Sequence, residues 1–420
     1  MGQTIVEKIL SVKSGRTCSA GELVVSDLDL MMGHDFNAAM TIQVFEELGA
    51  RKVAYPEKTF FVFDHAVPAP NENYARIQQK VERFIKVQGV GFYPPGEGIC
   101  HQLFPEKGHV KPGDVVIGTD SHTCTYGALN AFTTGIGSTD LAVALMSGKL
   151  WFKVPETIRV NFIGKLPKGV YSKDLILYAA KKLTVDGALY KCIEFGGPVI
   201  AALSLEERMT LTNMSVELGA KAGIMEADEK TITWLKERID GDITPVFPDA
   251  DAVYEAVYNF DVSELLPQIA CPHAVDNVCD ISDAAGTPVH SAFIGSCSNG
   301  RIADLRAAAK ILEGKRVPKH IRLYIIPASR EIWLKAIEEG LVSIFLNAGA
   351  ILEPPCCGPC GGICGGIPAD DENMISTATR NFKGRAGNSK SNVYLASPAV
   401  VAASALTGVI TDPMEGRNTR

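Results

Sequence analysis

Three cysteines in two glycine-rich segments offer the most distinctive chemistry in this chain. Cys297 lies in residues 295–301 (GSCSNGR), and Cys357 and Cys360 lie in residues 357–360 (CGPC). Three thiolates can bind three irons of a cubane cluster and leave the fourth iron without a protein ligand. Such an iron is a Lewis acid open to a substrate oxygen, so the pattern favours chemistry on a hydroxy acid over electron transfer.

Other interpretations of the same cysteines stay open on spacing alone. The pair Cys357 and Cys360 is also typical of a redox dithiol, of half a zinc site or of a structural turn. A tetrahedral zinc site needs a fourth ligand, for which Cys356 and Cys364 are the nearby candidates.

Histidines and carboxylates form a second set of candidate residues, mostly at predicted loop positions. The set comprises Asp64, His65, His101, Asp120 and His122, with Ser121 between the last two, and Asn213 and Glu217, which would share one helical face. A carboxylate beside an imidazole holds the ring in one tautomer and tunes its basicity, which suits acid–base catalysis. For each histidine taken alone a structural role is favoured, but several beside a candidate cluster indicate a site.

Two arginines, Arg380 and Arg385, lie in the glycine-containing segment 380–385 (RNFKGR). Two guanidinium groups in one tight loop can bind a carboxylate bidentately. By itself the segment also fits a solvated basic turn.

Predicted strands lead into these residues. Buried strands predicted at 58–63 and 114–118 end at Asp64 and just before Asp120, with a helix predicted at 73–87 between them. Residues 276–420 repeat strand, loop and helix, and this repeat predicts a doubly wound parallel sheet with both cysteine segments on one edge. Ligands bind at that edge in parallel sheets. The predicted strands there are 290–294, 322–327, 351–355 and 393–397, and the predicted helices are 302–313, 330–346 and 399–406.

Three α/β domains are predicted, at residues 1–155, 156–275 and 276–420. The middle domain begins with a strand at 157–163 and includes a helix-like segment at 204–219. A length of 420 residues and a hydrophobic content of 46% are sufficient for several cores.

Composition excludes some classes of protein. The net charge of −7 without a basic stripe argues against a nucleic-acid partner. The eleven cysteines, an odd number at low density, argue against a disulfide framework and favour a reducing cytoplasm. The N-terminus lacks the long apolar region of a secretory signal, and no apolar run predicts a membrane span.

Taken together, the motifs resemble the aconitase superfamily. They follow one another in the order 64–65 (DH), 98–102 (GICHQ), 118–123 (GTDSHT), 210–214 (TLTNM), 295–301 (GSCSNGR), 357–360 (CGPC) and 380–385 (RNFKGR). The branch they resemble is the large subunits of 3-isopropylmalate dehydratase, homoaconitase and 2,3-dimethylmalate dehydratase.

The resemblance implies three α/β domains around a central [4Fe-4S] cluster. The fourth, swivelling domain is expected to be lacking here and to come from a separate small subunit. Because that domain carries the family's serine base, this chain alone is expected to be nearly inactive. One cluster per chain would be bound by Cys297, Cys357 and Cys360.

The resemblance also implies roles for the other residues. Three pairs would move protons and water, and Ser121 and Asn213 would fall on active-site positions, while Arg380 and Arg385 would bind a substrate carboxylate. The implied pairs are His65 with Asp64, His101 with Asp120 and His122 with Glu217. The reaction expected is reversible dehydration, with isomerisation, of a small dicarboxylate hydroxy acid.

Several alternatives remain at this stage. Among substrates, 3-isopropylmalate is favoured over 2,3-dimethylmalate and the homoaconitase substrate. Departures from the family pattern at Ser298, Thr379 and Asn388, and the extra Cys356 and Cys364, make the second a serious competitor. Two non-catalytic interpretations are an RNA-binding protein lacking the cluster and a structural zinc protein.

Overall fold

Sheets of mainly parallel strands organise residues 2–414, the part of the chain that the computed structural model describes. The first sheet has five parallel strands in the order β4-β3-β2-β5-β6. Beside it, β1 and β7 pair antiparallel. The strands are β1 (Leu23–Asp27), β2 (Leu30–His34), β3 (Thr59–Val62), β4 (Gly91–Tyr93), β5 (Val115–Gly118), β6 (Phe132–Gly135) and β7 (Lys149–Lys153).

The helices of this part follow from their apolar faces and caps. They are α1 (Ile5–Ser14), α2 (Ala38–Glu47), α3 (Glu72–Gln88), α4 (Cys100–Glu106) and α5 (Ser138–Ser147), with 3-10 turns at Pro56–Lys58 and Ser121–Leu129. Helix α3 begins where the Asn71 side chain accepts hydrogen bonds from two backbone N–H groups, and it ends at Gly89, whose φ of 67° is left-handed. Its buried residues Val81, Phe84 and Ile85 lie on one face, as the period of 3.6 requires.

The second sheet has four parallel strands in the order β10-β9-β8-β11. They are β8 (Thr157–Ile163), β9 (Cys192–Gly196), β10 (Ala222–Met225) and β11 (Ala256–Asp261). The helices are α6 (Ser172–Leu183), α7 (Pro198–Ala202), α8 (Leu205–Met214) and α9 (Glu229–Lys236), and a 3-10 turn, Ser215–Leu218, follows α8. The helix predicted over 204–219 is therefore wrong beyond Met214.

The third sheet has seven strands in the order β13-β12-β18-β17-β14-β15-β16. They are β12 (Gln268–Ala270), β13 (Val278–Asp280), β14 (Ser291–Ile294), β15 (Arg322–Ile325), β16 (Ile351–Leu352), β17 (Asn373–Ser376) and β18 (Asn392–Ala396). Among the described pairs of this sheet, β12 pairs antiparallel with β13 and with β18, and the other pairs are parallel. The α/β class predicted from the sequence is confirmed; the limits at 155 and 275 stay a prediction.

The helices of the third part differ from prediction at one point. They are α10 (Ile281–Ala284), α11 (Ser296–Asn299), α12 (Ile302–Leu312), α13 (Arg330–Glu338), α14 (Leu341–Ala348) and α15 (Pro398–Thr407), with a 3-10 turn at Gly358–Gly361. The single helix predicted over 330–346 is wrong, because Gly340 adopts a left-handed φ of 74° and separates α13 from α14.

Two topological switch points, where successive strands are added on opposite sides of a sheet, position the site. The first lies between β2 and β5 of the first sheet, and the second lies between β14 and β17 of the third sheet. Loops that leave two such strands diverge and open a crevice beyond their carboxyl ends, where parallel α/β proteins bind ligands. Among the described residues, no helix is both long and apolar enough to cross a lipid bilayer.

A candidate active site where three sheets meet

The loop after β3 carries the first histidine–carboxylate pair. The Asp64 side chain is fully buried, and its Oδ1 lies 2.6 Å from His65 Nδ1. Its other oxygen accepts a hydrogen bond from the Cys100 backbone N–H at 2.8 Å. These contacts fix the carboxylate, which in turn orients the imidazole.

Asp120, after β5, contacts three imidazoles. Its Oδ1 lies 2.9 Å from His101 Nε2 and 3.4 Å from His122 Nδ1, and its Oδ2 lies 3.2 Å from His65 Nε2. Burial alone would raise the pKa of Asp120, but the imidazoles outweigh it and hold this pKa well below its usual range. Asp120 is therefore a fixed negative charge at the centre of the histidines.

Burial and nearby charges also oppose each other at His65, but each shifts the pKa in the opposite direction. Burial alone would lower its pKa, yet the carboxylates of Asp64 and Asp120 outweigh burial and raise the pKa of His65 well above its usual value. The described arrangement therefore favours the protonated form of this ring.

A third pair joins the second and third sheets. Glu217, in the 3-10 turn after α8, has its Oε1 2.7 Å from His122 Nε2 and also accepts a hydrogen bond from Arg380 Nε at 2.7 Å. Burial would raise the pKa of Glu217, but His122 and Arg380 lower it overall. For His122, burial and Arg380 act to lower the pKa, and Asp120 and Glu217 outweigh them and raise it.

The three predicted cysteines are all free thiols and nearly inaccessible, with exposed fractions of 4–6%. The Cys357 backbone N–H donates to the Asp64 carbonyl at 2.7 Å, and the Cys360 sulfur lies 3.7 Å from Thr379 Oγ1. Before Cys297, Ser296 adopts a left-handed φ of 71°, which is costly for a residue other than glycine. Such strain persists where surrounding contacts hold a functional loop.

Buried Arg301 supplies some of those contacts. Its guanidinium donates to the carbonyl oxygens of Cys297 at 2.9 Å and Ser298 at 2.8 Å, and to Gln102 Oε1 at 3.1 Å. It thus ties the Cys297 loop to helix α4, whose His101 contacts Asp120.

The remaining predicted residues lie around this centre. Asn213 donates to Thr125 Oγ1 at 2.7 Å and contacts the Cys297 thiol. Arg385 contacts Cys360, and its Nε has no hydrogen-bond acceptor among the described residues. Ser121 is partly exposed, with its Oγ 3.5 Å from His122 Nδ1. Every side chain predicted from the sequence therefore lies in one region.

Two residues at this centre were missed in the sequence. His34 ends β2, and its ring stacks on that of His65 with centroids 4.2 Å apart. The Asp35 carboxylate accepts hydrogen bonds from the backbone N–H groups of His65 at 3.0 Å and Ala66 at 2.9 Å. The available signal was their position, because this histidine–aspartate pair ends a strand just as Asp64 follows β3.

Ligand spacing distinguishes the two metal interpretations of the cysteines. Sulfurs around one tetrahedral zinc are about 3.8 Å apart, given a Zn–S bond of about 2.3 Å. In residues 2–414, however, no cysteine sulfur belongs to a group of three possible ligand atoms that all lie within 4.8 Å of one another. A cubane needs its cysteines farther apart, since each binds a different iron. The three buried thiols thus lack the close grouping that a single zinc needs, and they offer the three thiolates that a cubane cluster binds.

Comparison with known proteins agrees with this geometry. The profile of the Aconitase family (aconitate hydratase) matches residues 7–288 and 282–408. The chain belongs to the aconitase family. The resemblance found in the sequence is thereby confirmed, and membership makes the chain a hydro-lyase and implies an iron–sulfur cluster.

Relatives cover almost the whole chain. It is 49% identical over 414 residues to 3-isopropylmalate dehydratase large subunit 1 of Methanopyrus kandleri, covering 98% of this chain and 99% of the relative. It is 50% identical to large subunit 2 of Archaeoglobus fulgidus, covering 99% and 100%, and 46% identical to the large subunit of Aquifex aeolicus, covering 99% and 98%.

A solved structure supports the fold. Aconitase X of Thermococcus kodakaraensis, in its holo-form, superposes with a TM-score of 0.50 at 15% identity over 89% of each chain.

Proposed function

We propose that this chain is the large catalytic subunit of a [4Fe-4S] hydro-lyase that reversibly dehydrates a substituted malate, with 3-isopropylmalate as the favoured substrate. The observation that carries the proposal is Asp120, which contacts three histidines beside three buried cysteines. Relatives named 3-isopropylmalate dehydratase large subunit support the choice of substrate.

Cys297, Cys357 and Cys360 would hold one [4Fe-4S] cluster per chain. When bound, the cluster supplies a Lewis-acidic iron that polarises the C–O bond of the substrate hydroxyl. Arg385 contacts Cys360 and has an Nε free of described acceptors, so it can offer this donor to a substrate carboxylate at the same place.

Arg380 would bind a substrate carboxylate with its remaining donors. Its Nε donates to Glu217, so the outer edge of the guanidinium is held in a defined direction. Asn213 and Ser121 would add polar contacts near the same centre. Binding in this way fixes the position and orientation of the substrate, so less entropy remains to be lost in the chemical step.

The histidine–carboxylate pairs would move the protons. His65 lies between Asp64 and Asp120, which raise its pKa and favour its protonated form, so this ring can donate a proton to a departing hydroxide. His101 and His122 also contact Asp120, so a proton given up by one ring can be replaced through its neighbours.

The proposal includes a second chain and a location. Because the relatives are named large subunits, a small subunit would supply the swivelling domain with the missing base. The substrates of 2,3-dimethylmalate dehydratase and homoaconitase are the alternatives, which differ in the group on carbon 3. A reducing cytoplasm suits eleven cysteines that are all free.

Anaerobic reconstitution with iron and sulfide tests the proposal. We expect about four irons per wild-type chain and fewer in Cys297→Ser. Cys279→Ser, a partly exposed thiol in β13, is the control and should retain the wild-type value. The reconstituted chain, mixed with the small subunit, should then dehydrate 3-isopropylmalate faster than 2,3-dimethylmalate. A colourless chain that binds zinc would overturn the proposal.

A further inference from the structure

Lys173 is a fully buried lysine that none of the roles above uses. It lies in the first turn of α6, the helix that follows β8 of the second sheet, and its side chain is 0% exposed. Its Nζ donates to the carbonyl oxygens of Ala378 at 2.7 Å and Thr377 at 2.9 Å, and lies 3.4 Å from Ser298 Oγ. These acceptors belong to the loops after β17 and β14.

The neighbouring residue fixes the start of this helix. The Asp174 carboxylate accepts hydrogen bonds from the backbone N–H groups of Tyr171 and Gln268, each at 2.8 Å. The second of these belongs to β12 of the third sheet. Helix α6 is thus anchored against that sheet, and Lys173 is held toward the two loops.

The acceptors of Lys173 join the parts of the proposed active site. Ser298 follows the cluster cysteine Cys297, and its hydroxyl also donates to the Thr377 carbonyl at 2.7 Å. The other loop continues from Ala378 to Arg380. One ammonium group therefore connects the cysteine loop with the loop of the substrate-binding arginine.

The ammonium of Lys173 has no carboxylate oxygen within ion-pair distance among the described residues. None of the ion pairs among the described residues includes it, although an unpaired buried ammonium is expensive. Burial lowers its pKa to about 8, so the charged form still predominates at neutral pH. Two contacts of Lys173 lie beside the cysteine sulfurs: Ser298 directly follows Cys297, and Ala378 precedes Thr379, whose Oγ1 lies 3.7 Å from the Cys360 sulfur.

We propose that Lys173 is a positioning residue whose ammonium serves as the counter-charge of the cysteine-bound cluster and holds the two loops beside it. This inference rests on the proposed function, because it needs the cluster. A cation at this place favours the more negative, reduced form of the cluster over the oxidised form. Loss of the charge should therefore make the cluster harder to reduce.

Three substitutions separate charge from shape. Lys173→Met removes the charge and the donors, Lys173→Gln removes the charge but keeps an N–H donor, and Lys173→Arg keeps the charge. Lys221→Met is the matched control, because Lys221 is a half-buried lysine of the same part of the chain on which the charge of Asp140 acts. If the methionine variant does not fold, the glutamine and arginine variants still decide the question.

The measurement is an anaerobic redox titration of the reconstituted chains, followed by electron paramagnetic resonance. At a fixed potential, the ratio of reduced to oxidised cluster should fall about tenfold or more in Lys173→Met and Lys173→Gln, as expected for a unit charge within about 10 Å at an effective dielectric of about 20. Tenfold corresponds to 59 mV for one electron. Lys173→Arg and Lys221→Met should stay near the wild-type midpoint.

The outcomes distinguish this inference from the proposed function. A wild-type midpoint in Lys173→Gln, in a chain that holds its iron and is active, would overturn the role of Lys173 alone. A wild-type chain that binds no cluster would overturn both.

Discussion

Replacement of Glu217 by glutamine should disconnect His122 from Arg380. One oxygen of Glu217 contacts both His122 Nε2 and Arg380 Nε at 2.7 Å, and the carboxylate is 3% exposed. Glutamine has nearly the same shape but no charge, and its single carbonyl oxygen cannot compensate both partners. Arg380, whose side chain is 19% exposed, would then lose its counter-ion.

The size of the effect follows from the burial of this group. Removal of one member of a buried ion pair costs about 3–5 kcal/mol, because the other charge stays uncompensated. If about 3 kcal/mol of this cost falls on the transition state, kcat/KM decreases about 150-fold at 1.36 kcal/mol per factor of ten. We therefore expect a loss of two orders of magnitude or more.

The pH dependence should change in a defined direction. In the wild type, burial and Arg380 lower the pKa of His122, and Asp120 and Glu217 outweigh them. A raised histidine pKa stabilises the fold below the unfolded pKa, and this contribution is lost as the pH rises through the folded pKa. Without Glu217 the folded-state pKa of His122 falls, so its contribution to stability should be smaller and should be lost completely at a lower pH.

The assay is kcat/KM of the reconstituted enzyme with its small subunit across pH, together with the Tm of the chain. Glu226→Gln is the matched control, because Glu226 pairs with Arg159 in the same sheet but away from the histidines. A Glu217→Gln enzyme with kcat/KM within twofold of wild type and an unshifted pH profile would refute the reasoning, whatever its Tm.

Three further predictions concern single residues. Cys357→Ser should lose iron on reconstitution whereas Cys364→Ser should keep it, and equal iron in both would contradict the proposed ligands. Gly135→Ala should lower kcat/KM at least tenfold with normal iron content, because its Cβ would lie 2.7 Å from the Cα of Ser121, and an unchanged rate would show that this loop tolerates displacement. Burial and a nearby aspartate raise the pKa of Asp114 to about 7, so this group disfavours folding increasingly as the pH rises from about 4 to 7. Asp114→Asn should therefore raise Tm by about 2 °C or more at pH 8 but little at pH 5, and an equal change at both would contradict the assignment.

The sequence predicted best those site residues that directly follow strands. Asp64 and Asp120 come just after β3 and β5, which alternate with helices and read as continuous apolar runs. Parallel sheets bring such positions to one edge, so local pattern and general topology together were sufficient.

The prediction of the site was incomplete where a residue contacts a partner that is distant in the sequence. Glu217 was expected on a helical face with Asn213, but the helix ends at Met214, and a 3-10 turn presents Glu217 to Arg380 instead. No local periodicity encodes a partner 163 residues away.

The burial of a charged side chain also could not be predicted from the sequence. Lys173 stands in an ordinary amphipathic helix, and only the packing of α6 on another sheet removes it from water. The residues resemble a solvated helix start in sequence, because the surface that covers them is contributed by later parts of the chain.

The dependence of the site on all three sheets has a consequence for biosynthesis. Chains are synthesised from the N-terminus at about 5–20 residues per second, so Arg380 is made roughly 8–33 s after Glu217. Cys364, whose thiol contacts the backbone carbonyl of His65, is made 299 positions after His65. His65, His101 and His122 meet Asp64 and Asp120 within the first part of the chain, whereas Arg380 and the cysteines are made much later. The histidine–carboxylate centre can therefore form before its proposed cluster ligands exist, and the cluster can be assembled only late in synthesis, once Cys360 has been made.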